Sequence, residues 1–207
     1  MRTFACVLKT GGDYNADHVR ILQNQVMRAM PSTERFVCLT DLPSIKDVET
    51  IPLKLNLKGK YSMMEVFRIT GEVVVTGLDT ILMGNLDKIW DVAHETKENT
   101  FWMMKSFNKR RQYGNNPMVW NGDWSRLFYN YDPQVSLTYD LEQEYTIWKL
   151  RQEKADIQVL NDHFKIESYK YTYMGGRKAA TGDRFLIFHG NPRPHQVTQP
   201  WIKALYQ

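Results

Sequence analysis

Three consecutive valines, Val73, Val74 and Val75, run straight into the polar turn Thr76-Gly77-Leu78-Asp79-Thr80, and this junction constrains the chain more than any other. A β-branched run without polar alternation suits a strand buried on both faces, as in a parallel sheet covered by helices. In an open α/β sheet, ligands bind outside the carboxyl ends of the strands, so Asp79 stands where a site is expected. A carboxylate there can hold a hard divalent cation that neutralises a diphosphate. It can equally serve as a turn residue that bonds a nearby backbone N–H. The apolar Ile81-Leu82-Met83 and a Gly84-Asn85 turn follow.

The rest of the chain alternates in the same manner. Thr3 to Leu8, Arg35 to Thr40, Glu49 to Pro52 and Thr100 to Lys105 read as strands. Ala16 to Met30 has helical spacing with Val19, Leu22, Val26 and Met27 as its inner face, and Tyr61 to Ile69 reads as a helix leading into the valine strand. Leu141 to Leu150 repeats the helical period, with Leu141, Tyr145 and Trp148 on one face and Glu142, Gln143 and Glu144 forming a solvated one. The six tryptophans read mostly as core or edge packing. With 207 residues and 43% hydrophobic content the chain can bury a full core, and no linker, low-complexity tract or repeat divides it. A single α/β domain over residues 1–207 is the expectation.

Several polar groups fall at the ends of these elements. In Lys9-Thr10-Gly11-Gly12-Asp13-Tyr14 the adjacent glycines let a backbone approach a ligand closely, Thr10 offers a hydroxyl and Tyr14 a stacking face. This is a nucleotide loop or an ordinary βα turn. It lacks the three spaced glycines of the dinucleotide fingerprint, which disfavours nicotinamide chemistry. Asn115 and Asn116 can bond sugar hydroxyls, because an amide both donates and accepts, or they are turn residues before Pro117. The apolar strand Phe185 to Phe188 ends at His189-Gly190, which puts His189 in the same kind of position as Asp79. With Arg193 just beyond, this segment can supply a metal ligand and a phosphate contact, although a lone histidine is usually structural.

The formal net charge of +4 favours anionic ligands weakly, since lysines and arginines are scattered among the acids. Lys109-Arg110-Arg111 reads as a solvated loop, so no nucleic-acid partner is expected. The first residues have too short an apolar run for a signal peptide, and no stretch is long enough to span a bilayer. Cys6 and Cys38 fall in strands as small buried thiols, and two cysteines make no metal pattern. A reducing, cytoplasmic setting is the default expectation.

Taken in order, LKTGGDY, SMMEVFR, GLDTILMGNLD, EQEY, Ser168-Tyr169-Lys170 and FHGNPRPH resemble a bacterial and phage set of glycosyltransferase-like proteins related to the glycogenin-type, family 8 GT-A transferases. The resemblance covers nearly the whole length. It implies a Rossmann-like mixed sheet flanked by helices and a metal-dependent transfer of sugar from a nucleotide-diphospho-sugar, UDP-sugar by expectation, to an acceptor hydroxyl. Thr10, Gly11 and Tyr14 would lie near the nucleotide and Asn115 or Asn116 and Gln143 near the sugar. Asp79 and His189 would hold manganese or magnesium, and Arg193 or Lys170 would stabilise the departing diphosphate. Retention of anomeric configuration is the family expectation, and the acceptor is a glycan, protein or small molecule.

Two positions depart from the pattern. The usual Asp-x-Asp motif reads Gly77-Leu78-Asp79, so one carboxylate is missing, and Met63 stands where relatives often carry a lysine. These departures support a rival reading, a nucleotide-sugar-binding protein of the same fold with weakened catalysis. A structural or interaction protein of phage type is the further rival, in which the strand-end polar groups only satisfy turns.

Overall fold

The computed structural model describes residues 1–176 and 178–206. In chain order the elements are β1 (Arg2–Leu8), α1 (Ala16–Ala29), β2 (Arg35–Thr40), β3 (Glu49–Pro52), a 3₁₀ segment (Gly59–Arg68), β4 (Glu72–Val75), β5 (Thr80–Met83), α2 (Ile89–Glu95), β6 (Thr100–Lys105) and β7 (Tyr113–Trp120). Next come α3 (Arg126–Tyr129), α4 (Pro133–Ser136), α5 (Glu142–Gln152), β8 (Asp156–Val159), β9 (Ile166–Ser168), α6 (Tyr169–Thr172), β10 (Arg184–Ile187) and α7 (Pro200–Leu205). The main sheet has seven strands in the order β3-β2-β1-β4-β7-β6-β8, and a small sheet has the order β5-β10-β9. β1 is parallel to β2 and β4, whereas β7 runs antiparallel to both β4 and β6. The sheet is therefore mixed, with helices on both faces, as the sequence leads one to expect.

The valine strand explains why both faces are covered. Successive side chains of a strand point to opposite sides. Val74 accordingly packs with Phe4, Cys6, Val19, Val26 and Trp90 in the layer of α1 and α2. Val73 and Val75 pack with Met64, Phe67, Phe101, Trp120 and Tyr145 in the layer of the 3₁₀ segment and α5. All three valines are fully buried. A third, smaller cluster joins Ile81 and Leu186 of the small sheet, and Phe188 just beyond it, to Tyr169 and to Ile202 of α7.

Three sequence expectations are corrected. Met27 is 52% exposed, and the inner face of α1 is completed by Gln25 and Ala29. At 100° per residue, positions 19, 22, 26 and 29 share one stripe, from which 27 falls away. The buried Gln25 uses its amide: Oε1 accepts from the Leu82 N–H at 2.9 Å, which ties α1 to the start of the small sheet. The stretch before β4 is helical but winds as a 3₁₀ segment over Gly59–Arg68. Asn115 and Asn116 are not turn residues: they lie within the strand Tyr113–Trp120, in an unpaired stretch between Gly114, which pairs with β6, and Met118, which pairs with both β4 and β6. Cys6 and Cys38 are free, buried and opposite one another in β1 and β2. Among the described residues no helix is long and apolar enough to cross a membrane.

Candidate functional site

The order of the main sheet reverses at β1, with β2 and β3 on one side and β4 on the other. A crevice opens at such a switch point beyond the carboxyl ends of the strands. Because β7 is antiparallel to β4, with Met118 opposite Val75, its earlier residues Asn115 and Asn116 extend past the end of β4 toward the same edge. Phe188 donates its N–H to the Asp79 carbonyl at 2.7 Å, so the turn from His189 to Arg193 is fixed against the central loop. The first turn of α5 closes the other side. The result is a cleft of two adjoining lobes, about 560 and 320 Å³, that share Lys60, Asp79, Asn115, Asn116, Glu142 and Arg193.

Asp79 lies on the floor. The Asn116 side chain acts as a clasp: its Nδ2 donates to Asp79 Oδ1 at 2.7 Å, while its Oδ1 accepts from Gly77 N–H at 3.1 Å and Thr80 Oγ1 at 3.0 Å. The residue is half-buried and borders both lobes. Burial is the largest influence on the Asp79 carboxyl and raises its pKa to about 6, against the attraction of the Arg193 guanidinium. Raised acids in clefts mark functional sites more often than structural ones.

Glu142 is the residue that the sequence reading misplaced. It belongs to no solvated face. Asn115, itself buried, donates from Nδ2 to Glu142 Oε1 at 3.0 Å, while Oε2 is buried with no partner. Burial pushes the Glu142 carboxyl up, and the Asn115 hydrogen bond opposes it. Gln143 faces the larger lobe, and Glu144 turns away to pair with Arg111 at 2.7 Å. The only sequence signal for Glu142 is its place in the first turn of a helix that follows a loop, where acids usually serve the helix itself.

Tyr14 and Arg193 form the opposite wall. The Arg193 guanidinium lies 5.6 Å over the Tyr14 ring and is held by Asp13 through Nε at 2.8 Å. The Tyr14 hydroxyl is buried without a partner, and burial raises its pKa strongly. His189 lines the larger lobe, with Nε2 2.7 Å from Ser168 Oγ and its ring stacked on Phe107. Burial, and then the charge of Lys170, lower its pKa, which keeps the imidazole neutral. Lys170 itself is exposed and does not line the cleft. Thr10 and Gly11 also lie outside it: Thr10 bonds Asp41 through its N–H at 2.9 Å and its hydroxyl at 2.7 Å. Lys60, which the sequence reading passed over, lines both lobes.

Solved structures of low sequence identity share this architecture. The galactosyltransferase LgtC, solved with donor and acceptor sugar analogues, superposes with a TM-score of 0.68 over 98% of this chain and 93% of its own, at 13% identity. The fold is that of the GT-A glycosyltransferases. GlyE of Streptococcus pneumoniae matches this GT-A fold with a TM-score of 0.62 at 11% identity over 93% of the chain, which spans 55% of GlyE. A glycosyltransferase involved in glycosylation of the major capsid of PBCV-1 matches at 0.56 and 9% identity, over 99% of this chain and 100% of its own. No family model and no curated protein matches the sequence.

GT-A chemistry commonly brings a divalent cation into view, and the donor set here fits one poorly. Among the described residues no three histidine, cysteine, aspartate or glutamate side chains converge. Asp79 Oδ1 is committed to Asn116, His189 Nε2 to Ser168, and Arg193 already supplies positive charge toward Asp79. A side chain at position 77 would meet the clasp itself: a Cβ at Gly77 would lie 2.5 Å from Asp79 Oδ1 and 3.0 Å from Asn116 Nδ2, so the Asp79 and Asn116 side chains would have to move aside. Gly77→Ala is expected to push the Asp79 carboxylate out of its clasp. The loss of that hydrogen bond lowers stability by about 1 kcal/mol in urea titrations. An unchanged midpoint would show that the clasp carries no energy.

Proposed function

We propose that this protein transfers a sugar from a nucleoside-diphospho-sugar, UDP-sugar in the first instance, to an acceptor hydroxyl. The observation that carries the reading is the orphaned Oε2 of Glu142, a buried carboxylate oxygen facing a cleft at the switch point of a GT-A sheet. A buried acceptor of this kind is costly unless a ligand hydroxyl donates to it. The equally orphaned Tyr14 hydroxyl supports the placement of a second ligand group in the smaller lobe. In this reading Glu142 and Asn115 orient the sugar, Gln143 faces the reacting centre, and Arg193 draws charge toward the diphosphate. The acceptor oxygen attacks the anomeric carbon while the bond from that carbon to the diphosphate oxygen breaks. The bonding pair leaves with the diphosphate, and the acceptor proton passes to solvent or to the leaving group.

The test is release of nucleoside diphosphate from a panel of UDP- and other nucleotide-sugars. Wild-type protein is expected to release it from at least one donor, and Glu142→Gln to lower the rate roughly 10- to 100-fold, the effect of losing a charged hydrogen bond. Release from no donor contradicts transfer, and an unchanged rate in the variant contradicts the role of Glu142. The single carboxylate of the Gly77-Leu78-Asp79 turn favours a second reading, nucleotide-sugar binding without turnover. It predicts affinity for UDP with no release.

A further inference from the structure

We infer that the cleft holds the diphosphate of its nucleotide with Lys60 and Arg193 and needs no divalent cation to do so. The inference rests on the nucleotide-sugar reading above and deepens it. A diphosphate carries two to three negative charges and is bound either by a metal or by cationic side chains. Asp79 is the carboxylate best placed to hold a metal, and three features weaken it for that task. One of its oxygens is clasped by Asn116, the turn carries a glycine at position 77 and so offers no second carboxylate beside it, and the guanidinium of Arg193 already acts on it electrostatically. A dication placed there would meet that guanidinium's repulsion.

The two cations, in contrast, are set for an anion. Arg193 is held over Tyr14 by Asp13, an arrangement that orders its planar fork before a ligand arrives. Lys60 comes from the 3₁₀ segment, and this winding has a consequence. At three residues per turn, positions i and i+3 superpose on one face. Lys60 therefore lies directly one turn before Met63, and both line the smaller lobe. The Lys60 ammonium rests on the Asp140 carbonyl and its chain is exposed, so its head is free to exchange that neutral acceptor for a phosphate oxygen. Both residues border both lobes, where a diphosphate bridging nucleoside and sugar would run.

Calorimetric titration with UDP tests this, using protein stripped with EDTA and the same protein supplied with manganese. The expected result is binding under both conditions with dissociation constants within about threefold of each other. Lys60→Ala and Arg193→Ala should each weaken it roughly 10- to 100-fold, and Lys60→Arg should restore most of the loss. Lys60 is exposed and its removal leaves no buried gap, so the variant reports on binding rather than folding; circular dichroism confirms this. Binding that appears only with manganese overturns the metal-free clamp and leaves the nucleotide-sugar reading standing. Binding that neither alanine variant weakens also overturns the clamp, and binding under neither condition overturns both.

Discussion

Trp120→Ala should lower the stability of the protein by about 4 kcal/mol, near the upper end for a core substitution. Trp120 ends β7, pairs with Val73 of β4 and Phe101 of β6, and is fully buried. Its ring stacks on Phe101 at 5.4 Å and meets Phe67 at 5.6 Å, while Nε1 donates to the Ile69 carbonyl at 3.3 Å. Truncation removes the transfer energy of a large aromatic, leaves a cavity that two paired strands cannot collapse, and orphans a carbonyl. Urea denaturation is the measurement, and a loss below about 1 kcal/mol would mean that this aromatic cluster does not anchor the sheet. Asn115 and Asn116 lie in the first half of the same strand, beyond the part that pairs with β4. The remaining folded fraction should therefore keep its affinity for nucleotide.

The second large effect has the opposite sign. Asp79→Asn is expected to stabilise the folded protein by about 2 kcal/mol at pH 7. Burial raises the Asp79 pKa from 3.8 to about 6. The folded state thus binds this proton more tightly than the unfolded chain, and the group favours folding below about pH 4. That contribution is withdrawn as pH rises from about 4 to 6, and above this range the ionised carboxylate is a constant cost. The full shift corresponds to about 3 kcal/mol, of which water in the open cleft leaves about 2. An asparagine keeps the acceptor for Asn116 without the charge. Wild type and variant should therefore be equally stable near pH 3 and diverge between pH 4 and 6. Parallel curves across that range would contradict the burial of the charge. Stability held down by a buried carboxylate in a cleft is the usual mark of a functional group.

Much of the fold was legible because it depends on local pattern. The valine run announces a strand covered on both faces, and Arg35–Thr40, Glu49–Pro52 and Thr100–Lys105 form strands over the residues that their composition indicates. β7 was not, since Gly114, Asn115, Asn116 and Pro117 are turn formers, and they are carried in a strand by the pairing of the residues on either side of them, Tyr113 and Gly114 with β6 and Met118 to Trp120 with β4 and β6. The same holds at the site. Asp79, His189 and Arg193 stand at strand ends and could be singled out by position, Asn115 and Asn116 by their amides, and Gln143 only through the family resemblance; the structure brings all of them to one cleft. Thr10 and Gly11 looked equivalent, yet Asp41, distant in sequence, draws Thr10 away. Glu142 and Lys60 were invisible as site residues: whether an acid in a first helical turn faces water or an asparagine, and whether a helix winds with three residues per turn, are decided by tertiary packing.

The central claim is that the crevice beyond β1 and β4 receives a nucleoside diphosphate. Amide chemical-shift mapping of the isotopically labelled protein during titration with UDP tests it most directly. The account predicts progressive shifts at Tyr14, Gly77 to Asp79, Asn115 and Asn116, Glu142 and Gln143, and His189 to Arg193, with the amides of α7 and β3 unmoved. Shifts confined to another surface, or none at saturating UDP, would contradict it.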